Sequence, residues 1–226
     1  MRRNSIFTKR WVKGSAVLVA TAATLVFANP QQAIATPLKG VDSATVSQSA
    51  SNVVDIDFAD GIKGRITFLE DGIFRYNVDP KGEFSEYATP RSKSHTAKIQ
   101  AQPDTSDTYS KPSATVADKG DTIEITGGKA TVILDKATGK MSIKSGDRVV
   151  VSESASLDLD KKGTVQTLAK EKSENFFGGG TQNGRFLHTN QTIAISNTNN
   201  WTDGGVASPN PFYWTSDGYG VLRNTF

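Results

Sequence analysis

Apolar and polar positions alternate with a period of two in seven short runs: Val53 to Phe58, Gly64 to Leu69, Ile73 to Val78, Thr122 to Thr126, Ala130 to Leu134, Met141 to Ser145 and Arg148 to Ser152. Each run is rich in β-branched or aromatic residues and is bounded by Gly, Asp, Asn, Pro or Ser, the pattern of a strand that buries one face. Glu70-Asp71-Gly72 separates two of the runs, and Asp-Gly there predicts a tight hairpin with positive φ at both central residues. Asp135-Lys-Ala-Thr-Gly139 predicts a second hairpin. With no amphipathic helical period in evidence, these elements predict an all-β fold, an antiparallel β-sandwich.

The segments between the runs are less regular. Thr36 to Asn52 is built of Ser, Ala, Gln, Thr and Val and reads as a solvated linker. Pro80 to Gly120 carries Pro80, Pro90, Pro103 and Pro112 among polar residues, so only one or two edge strands, such as Thr96 to Gln100, can be drawn through it. Repeats of solenoid length are absent.

The first thirty-five residues stand apart. Arg2, Arg3, Lys9, Arg10 and Lys13 precede an apolar run from Gly14 to Ala28, and Ala33-Ile34-Ala35 has the small-x-small spacing of a signal-peptidase site. The run falls short of the ~20 residues that span a bilayer, so a cleaved secretory signal over 1–35 is expected rather than a retained anchor. A mature chain would begin at Thr36, with the linker over 36–52 and one domain over 53–226. Cleavage changes the charge. Of 26 Lys and Arg, 26 minus those five leaves 21 against 23 Asp and Glu, a slightly acidic balance that offers nothing to nucleic acid or an anionic membrane. Absence of cysteine removes disulfides, thiolate metal sites and cysteine nucleophiles.

Several chemical patterns fail on spacing. Asp55-Ile-Asp-Phe-Ala-Asp60-Gly61 misplaces its third acid for a calcium loop and has Ile66 where a bidentate Glu belongs. Gly178-Gly-Gly180 lacks the Lys and Ser/Thr of a phosphate loop, so close backbone packing or a bend is the better account. His95 and His188 have no acid at metal-ligand spacing, and no Gly-x-Ser-x-Gly elbow occurs. A pair of glycosidase carboxylates is set in space rather than in sequence. The acids near the C-terminal region are Glu171 and Glu174, which read as an exposed strand edge, Asp203 and Asp217.

That region interleaves Gly, Asn and aromatic residues with little aliphatic period, as in a long ordered loop that offers rings and amides to a polyhydroxylated ligand. Its motifs are Phe176-Phe-Gly-Gly-Gly180, Asn199-Asn-Trp-Thr-Asp203, Pro211-Phe-Tyr-Trp214 and Gly218-Tyr-Gly-Val-Leu222. In order and spacing they resemble the N-terminal β-sandwich of glycoside hydrolase family 31, and the upstream hairpins extend the resemblance over Val53 to Phe226. The resemblance implies a galactose-mutarotase-like sandwich preceding a (β/α)8 barrel that carries the aspartate nucleophile and the acid/base of a retaining α-glycosidase. No catalytic residue can therefore be carried over to residues 1–226, which are expected to be silent alone.

What the family's sandwich supplies is a loop that shapes the sugar subsites, matched here by Asn200, Trp201 and Asp203 as substrate-binding residues. The same residues also admit a packed Trp201 and an Asp203 that caps a turn. The wording Asp203-Gly-Gly-Val-Ala-Ser-Pro-Asn-Pro-Phe-Tyr-Trp214 resembles members acting on α-N-acetylgalactosaminides more than ordinary α-glucosidases. The alternatives are an α-glucosidase, α-xylosidase or transglycosidase, and, in a different class, a non-catalytic carbohydrate-binding module. Implied partners are a carbohydrate and the barrel of the same polypeptide, without nucleic acid, membrane, metal or cofactor; the implied location is extracellular, with cell-surface attachment a further option. The sandwich is expected to be incomplete at its C-terminal end, where Gly220 to Phe226 reads as a strand with an open edge and apolar surface beside it.

Overall fold

The computed structural model describes residues 36–84, 109–160, 163–182, 185–196, 202 and 205–223; the signal over 1–35, the strand drawn at 96–100 and His95 lie outside the described residues. Fifteen strands and no helix occur among them. The chain runs β1 (Thr36–Pro37), β2 (Val41–Ala50), β3 (Val53–Phe58), β4 (Lys63–Glu70), β5 (Ile73–Asp79), β6 (Ala114–Asp118), β7 (Thr122–Gly127) and β8 (Ala130–Asp135). It continues through β9 (Met141–Ser145), β10 (Arg148–Ser152), β11 (Asp158–Asp160), β12 (Gly163–Val165), β13 (Phe176–Gln182), β14 (Val206–Thr215) and β15 (Gly220–Leu222). All seven alternating runs form strands, and every strand pairing is antiparallel.

Two meanders make the sandwich, a four-stranded sheet β2-β3-β4-β5 and a five-stranded sheet β10-β9-β8-β7-β6. Alternation assigns their inner faces. Val54, Ile56, Ile66 and Phe68 from the first sheet meet Ile123, Ile125, Val132 and Leu134 from the second, all fully buried in one core. Each such side chain stabilises the fold by about 1.5–3 kcal/mol relative to exposure. On the outer face of the first sheet the register sets Asp55 opposite Arg65 and Asp57 opposite Lys63, and both pairs close as ion pairs at 2.6 and 2.8 Å. Of the acids that imitate a calcium loop, Asp55 and Asp57 are thus cross-strand partners, and Asp60 in the turn accepts the Ile62 and Lys39 N–H groups. Among the described residues no cluster of three His or acidic side chains is placed to hold a metal.

The hairpins form where expected, with one difference. Gly72 has φ +94° but Asp71 is not among the positive-φ residues, and the register slips between Phe68 and Glu70, so a bulge rather than a second positive φ closes the turn. At the other hairpin Asp135 Oδ1 accepts the Thr138 N–H at 2.8 Å and Gly139 has φ +70°.

Residues 36–52 are not a linker. β2 pairs with β3, β1 pairs with β11, and Leu38 and Val41 are buried in the core. The connection between them is stitched by backbone bonds from Leu38 N–H to Leu157 O, Val41 N–H to Lys136 O and Ala59 N–H to Gly40 O. β2 is an edge strand exposed along most of its length, so polar residues suffice and no apolar alternation marks it. β6, at the edge of the other sheet, was hidden in the Pro-rich segment for the same reason.

Two three-stranded sheets complete the chain, β1-β11-β12 and β13-β14-β15. The stretch read as a long loop is therefore largely strand. Gly178 and Gly180 permit this, because a Cβ on Gly178 would lie 2.6 Å from Phe212 O and one on Gly180 would strike Ser208 O. Positive φ at Gly178, Gly179 and Gly180 bends β13 into a bulge at that point. Pro209 and Pro211 are tolerated within β14, where the β15 pairing covers Phe212 to Trp214 and engages Pro211 through its carbonyl, which accepts the Arg223 N–H at 2.9 Å and asks no donor of the proline.

Candidate functional site

The candidate loop leaves β13 at Gln182 and returns at Val206, so the β13-β14-β15 sheet is its platform. Asn200, Trp201 and Asp203 lie outside the described residues; of their neighbours, Thr202 is exposed, Gly205 is buried, and the Gly205 N–H donates to Thr202 O at 2.9 Å. Upstream, the segment after β13 folds back on that strand: His188 N–H donates to Phe176 O at 2.8 Å and Phe176 N–H to Thr189 Oγ1 at 3.0 Å. His188 is buried.

Cross-strand register sorts the sheet's rings onto two faces. Phe177 stands opposite Trp214, and Phe212 lies two positions along β14 on the same side. Phe177 stacks on Trp214 at 5.9 Å between ring centroids, Trp214 on Phe212 at 6.1 Å, and Phe186 tilts against Phe177 at 5.2 Å. This row is open: Phe186 is 72%, Phe212 41% and Trp214 40% exposed. Flat apolar surface of this kind packs against the C–H face of a pyranose. Phe177, Phe212 and Trp214 escape a residue-by-residue search for site residues. The signal that could have found them is the pairing of 177 with 214 across a strand that glycines disguise.

The opposite face carries half-buried rings and a buried carboxylate. Phe176 packs on Tyr213 at 6.1 Å, and Glu174, just before β13, is 3% exposed. Glu174 is thus not on an exposed strand edge, although Glu171 is exposed. The chain turns at 171–174, where Glu174 N–H donates to Glu171 O and Glu171 N–H to Glu174 Oε2, and the carboxylate is drawn under the sheet. Burial raises the Tyr219 hydroxyl well above the ordinary phenol range, and the neighbouring Glu174 carboxylate adds to it. Tyr213 is raised by burial and by Glu174, with Arg223 opposing. Asp217 sits in the β14–β15 turn, its N–H on Thr215 Oγ1 and its carbonyl accepting Arg148 Nη2 at 2.6 Å. The side chains that the sequence groups as acids near the loop are therefore dispersed: Glu174 beneath the sheet, Glu171 outside it and Asp217 at the far turn.

The family model of the glycosyl hydrolase 31 N-terminal galactose mutarotase-like domain matches residues 63–226, beginning at β4 rather than at Val53. Similar solved structures include the cycloalternan-forming enzyme from Listeria monocytogenes, at 14% identity and TM-score 0.62 over 84% of this chain and 17% of that one. A glycoside hydrolase family 31 dextranase from Flavobacterium johnsoniae aligns at 16% identity and TM-score 0.60, over 82% of this chain and 22% of that one. A family 31 α-xylosidase from Xanthomonas citri aligns at 23% identity and TM-score 0.56, over 78% of this chain and 18% of that one. The chain thus spans about a fifth of the length of these proteins. No curated protein matches it.

Proposed function

The chain belongs to the glycosyl hydrolase 31 N-terminal galactose mutarotase-like domain family, and from that membership we propose that it is the N-terminal part of a secreted retaining α-glycosidase. The observation that carries the reading is the family match itself, which runs unbroken from β4 through β15 and includes the whole candidate platform. In this reading the sandwich shapes the sugar subsites of a (β/α)8 barrel in the same polypeptide. Trp201 stacks on the sugar, Asn200 and Asp203 hydrogen-bond its hydroxyls, and the row of Phe177, Phe212 and Trp214 lies on the sheet that bears the loop.

The substrate class we propose is the α-N-acetylgalactosaminides, supported by Gly204-Gly205 directly after the loop acid. Action on α-glucans or α-xylosides is the second reading, favoured by the dextranase, α-xylosidase and cycloalternan-forming enzyme among the structural neighbours. Release of the aryl group by the natural full-length polypeptide from α-N-acetylgalactosaminide, α-galactoside, α-glucoside and α-xyloside tests both. The highest kcat/KM is expected on the first, and a preference for glucoside or xyloside would select the second. Binding without release from any of them would leave a carbohydrate-binding module in place of an enzyme.

A further inference from the structure

Resting on the reading of the sandwich as a subsite-shaping domain, we propose that Gln166 is a positioning residue whose amide, held between Glu153 and Arg223, seats the β13-β14-β15 sheet against the sandwich.

Glu153 follows β10 and is 6% exposed. Its Oε2 accepts the Met141 N–H of β9 at 2.9 Å and its Oε1 accepts Gln166 Nε2 at 2.8 Å. Gln166 Oε1 accepts Arg223 Nη1 at 3.0 Å, and Arg223 Nη2 reaches Thr164 Oγ1 of β12 at 3.0 Å. Arg223 stands one residue beyond β15, with its own N–H on Pro211 O of β14. The relay therefore joins the five-stranded sheet, the β1-β11-β12 sheet and the sheet that bears the candidate loop.

An amide has one accepting end and one donating end, a carboxylate only accepts and a guanidinium only donates. Between Glu153 and Arg223 a glutamine has a single satisfying orientation, because a flip would set its oxygen against the carboxylate and its NH2 against the guanidinium. The backbone bridge from Glu153 to Leu168 and the Arg223 bonds to Thr164 set the frame, and the length and polarity of the Gln166 side chain close it between Glu153 and the Arg223 end of the sheet. Among the described residues Arg148 also reaches this sheet, donating to the Asp217 carbonyl, but that bond is exposed and lies at the far turn. The carbohydrate reading gives the relay its purpose, since Phe212, Trp214 and both ends of the 183–205 segment are carried on the sheet it seats.

A charge swap tests this in the natural full-length polypeptide. In Glu153→Gln, two donors converge on a side chain with one accepting atom. In Gln166→Glu, a second carboxylate faces the first. In the double variant, position 153 accepts from Met141 and donates to position 166, which takes Arg223, so each donor has an acceptor again. Amide exchange at Thr215 and Arg223 is expected to quicken ~tenfold in each single variant and to return to within ~threefold of the parent in the double, the scale of coupling between directly bonded groups. KM for the aryl glycoside should rise in the single variants with kcat nearly unchanged, and fall back in the double. Additive exchange effects in the double variant would overturn the relay, as would single variants that leave exchange and KM unmoved. Should the single variants fail to fold, a folded and protected double variant supports the relay and an unfolded one refutes it. If the parent releases no sugar, the glycosidase reading fails while the exchange cycle still decides the role of Gln166.

Discussion

A Cβ at Gly127 would clash with the ring of Phe68, so the two sheets of the sandwich meet ring against backbone. Phe68→Ala should cost about 3–5 kcal/mol through the cavity it leaves. Gly127→Ala, the addition of one methyl group, should cost about 1–3 kcal/mol by overpacking, and Phe68→Leu should recover part of that loss when urea midpoints are compared. Titration at Glu153 belongs to this scale as well. Burial raises its carboxyl above the ordinary range, and its bonds from Gln166 and Met141 and the charges of Arg223 and Lys140 only partly offset the rise. The folded state therefore holds this proton to higher pH than the unfolded chain does. Stability from this group is full below the unfolded value of 4.5 and declines as pH rises through the folded value. Glu153→Gln should remove that decline, seen as a parent-minus-variant difference that shrinks as pH rises above 4.5. Asp55 runs the other way. Burial opposes ionisation, but the Arg65 hydrogen bonds, a hydrogen bond from Ser49 and the Arg65 charge together outweigh it and hold the carboxyl below its usual range, so its contribution is lost only as pH falls below 3.8.

Among the elements, the N-terminal segment is the one whose removal should be felt most. Gly40 has no room for a side chain, since a Cβ would strike Lys136 O, and the strands around it bury Leu38 and Val41. Deleting Thr36–Ala50 would uncover that end of the core and turn β3 into an edge, and we expect loss of a cooperative thermal transition by calorimetry. The contrast between legible and illegible strands has one physical origin. Strands with one face in the core, such as β3, β7 and β8, alternate and can be read directly from the chain. Edge strands β2 and β6 bury little and leave no alternation, while β13 and β14 are disguised by glycines that permit close backbone approach and by the prolines at 209 and 211. For the site, the motifs around Phe176, Trp214 and Tyr219 were legible because they are local in sequence. Burial of Glu174 was not, because it depends on a turn that the residue types do not announce.

For the whole molecule, the open row of Phe177, Phe212 and Trp214, together with Leu222 at 62% exposure, is the apolar surface expected beside β15. Residues 36–226 should therefore associate at tens of micromolar, and Phe212→Ser with Leu222→Ser should shift the sedimentation profile toward monomer. A monomeric parent at that concentration would contradict this. In the complete polypeptide, Trp201→Ala and Asp203→Ala should raise KM on the preferred glycoside ~tenfold or more without loss of fold, as for residues that contact sugar rather than pack the core. The central claim, that this sandwich belongs to a retaining α-glycosidase, is tested most directly by proton NMR of the first sugar released from an aryl α-glycoside by the full-length polypeptide. Two carboxylates acting through a covalent intermediate deliver the α-anomer first, with the β-anomer growing in by mutarotation. That is the result expected; the β-anomer appearing first, or no release from any α-glycoside, would contradict the account.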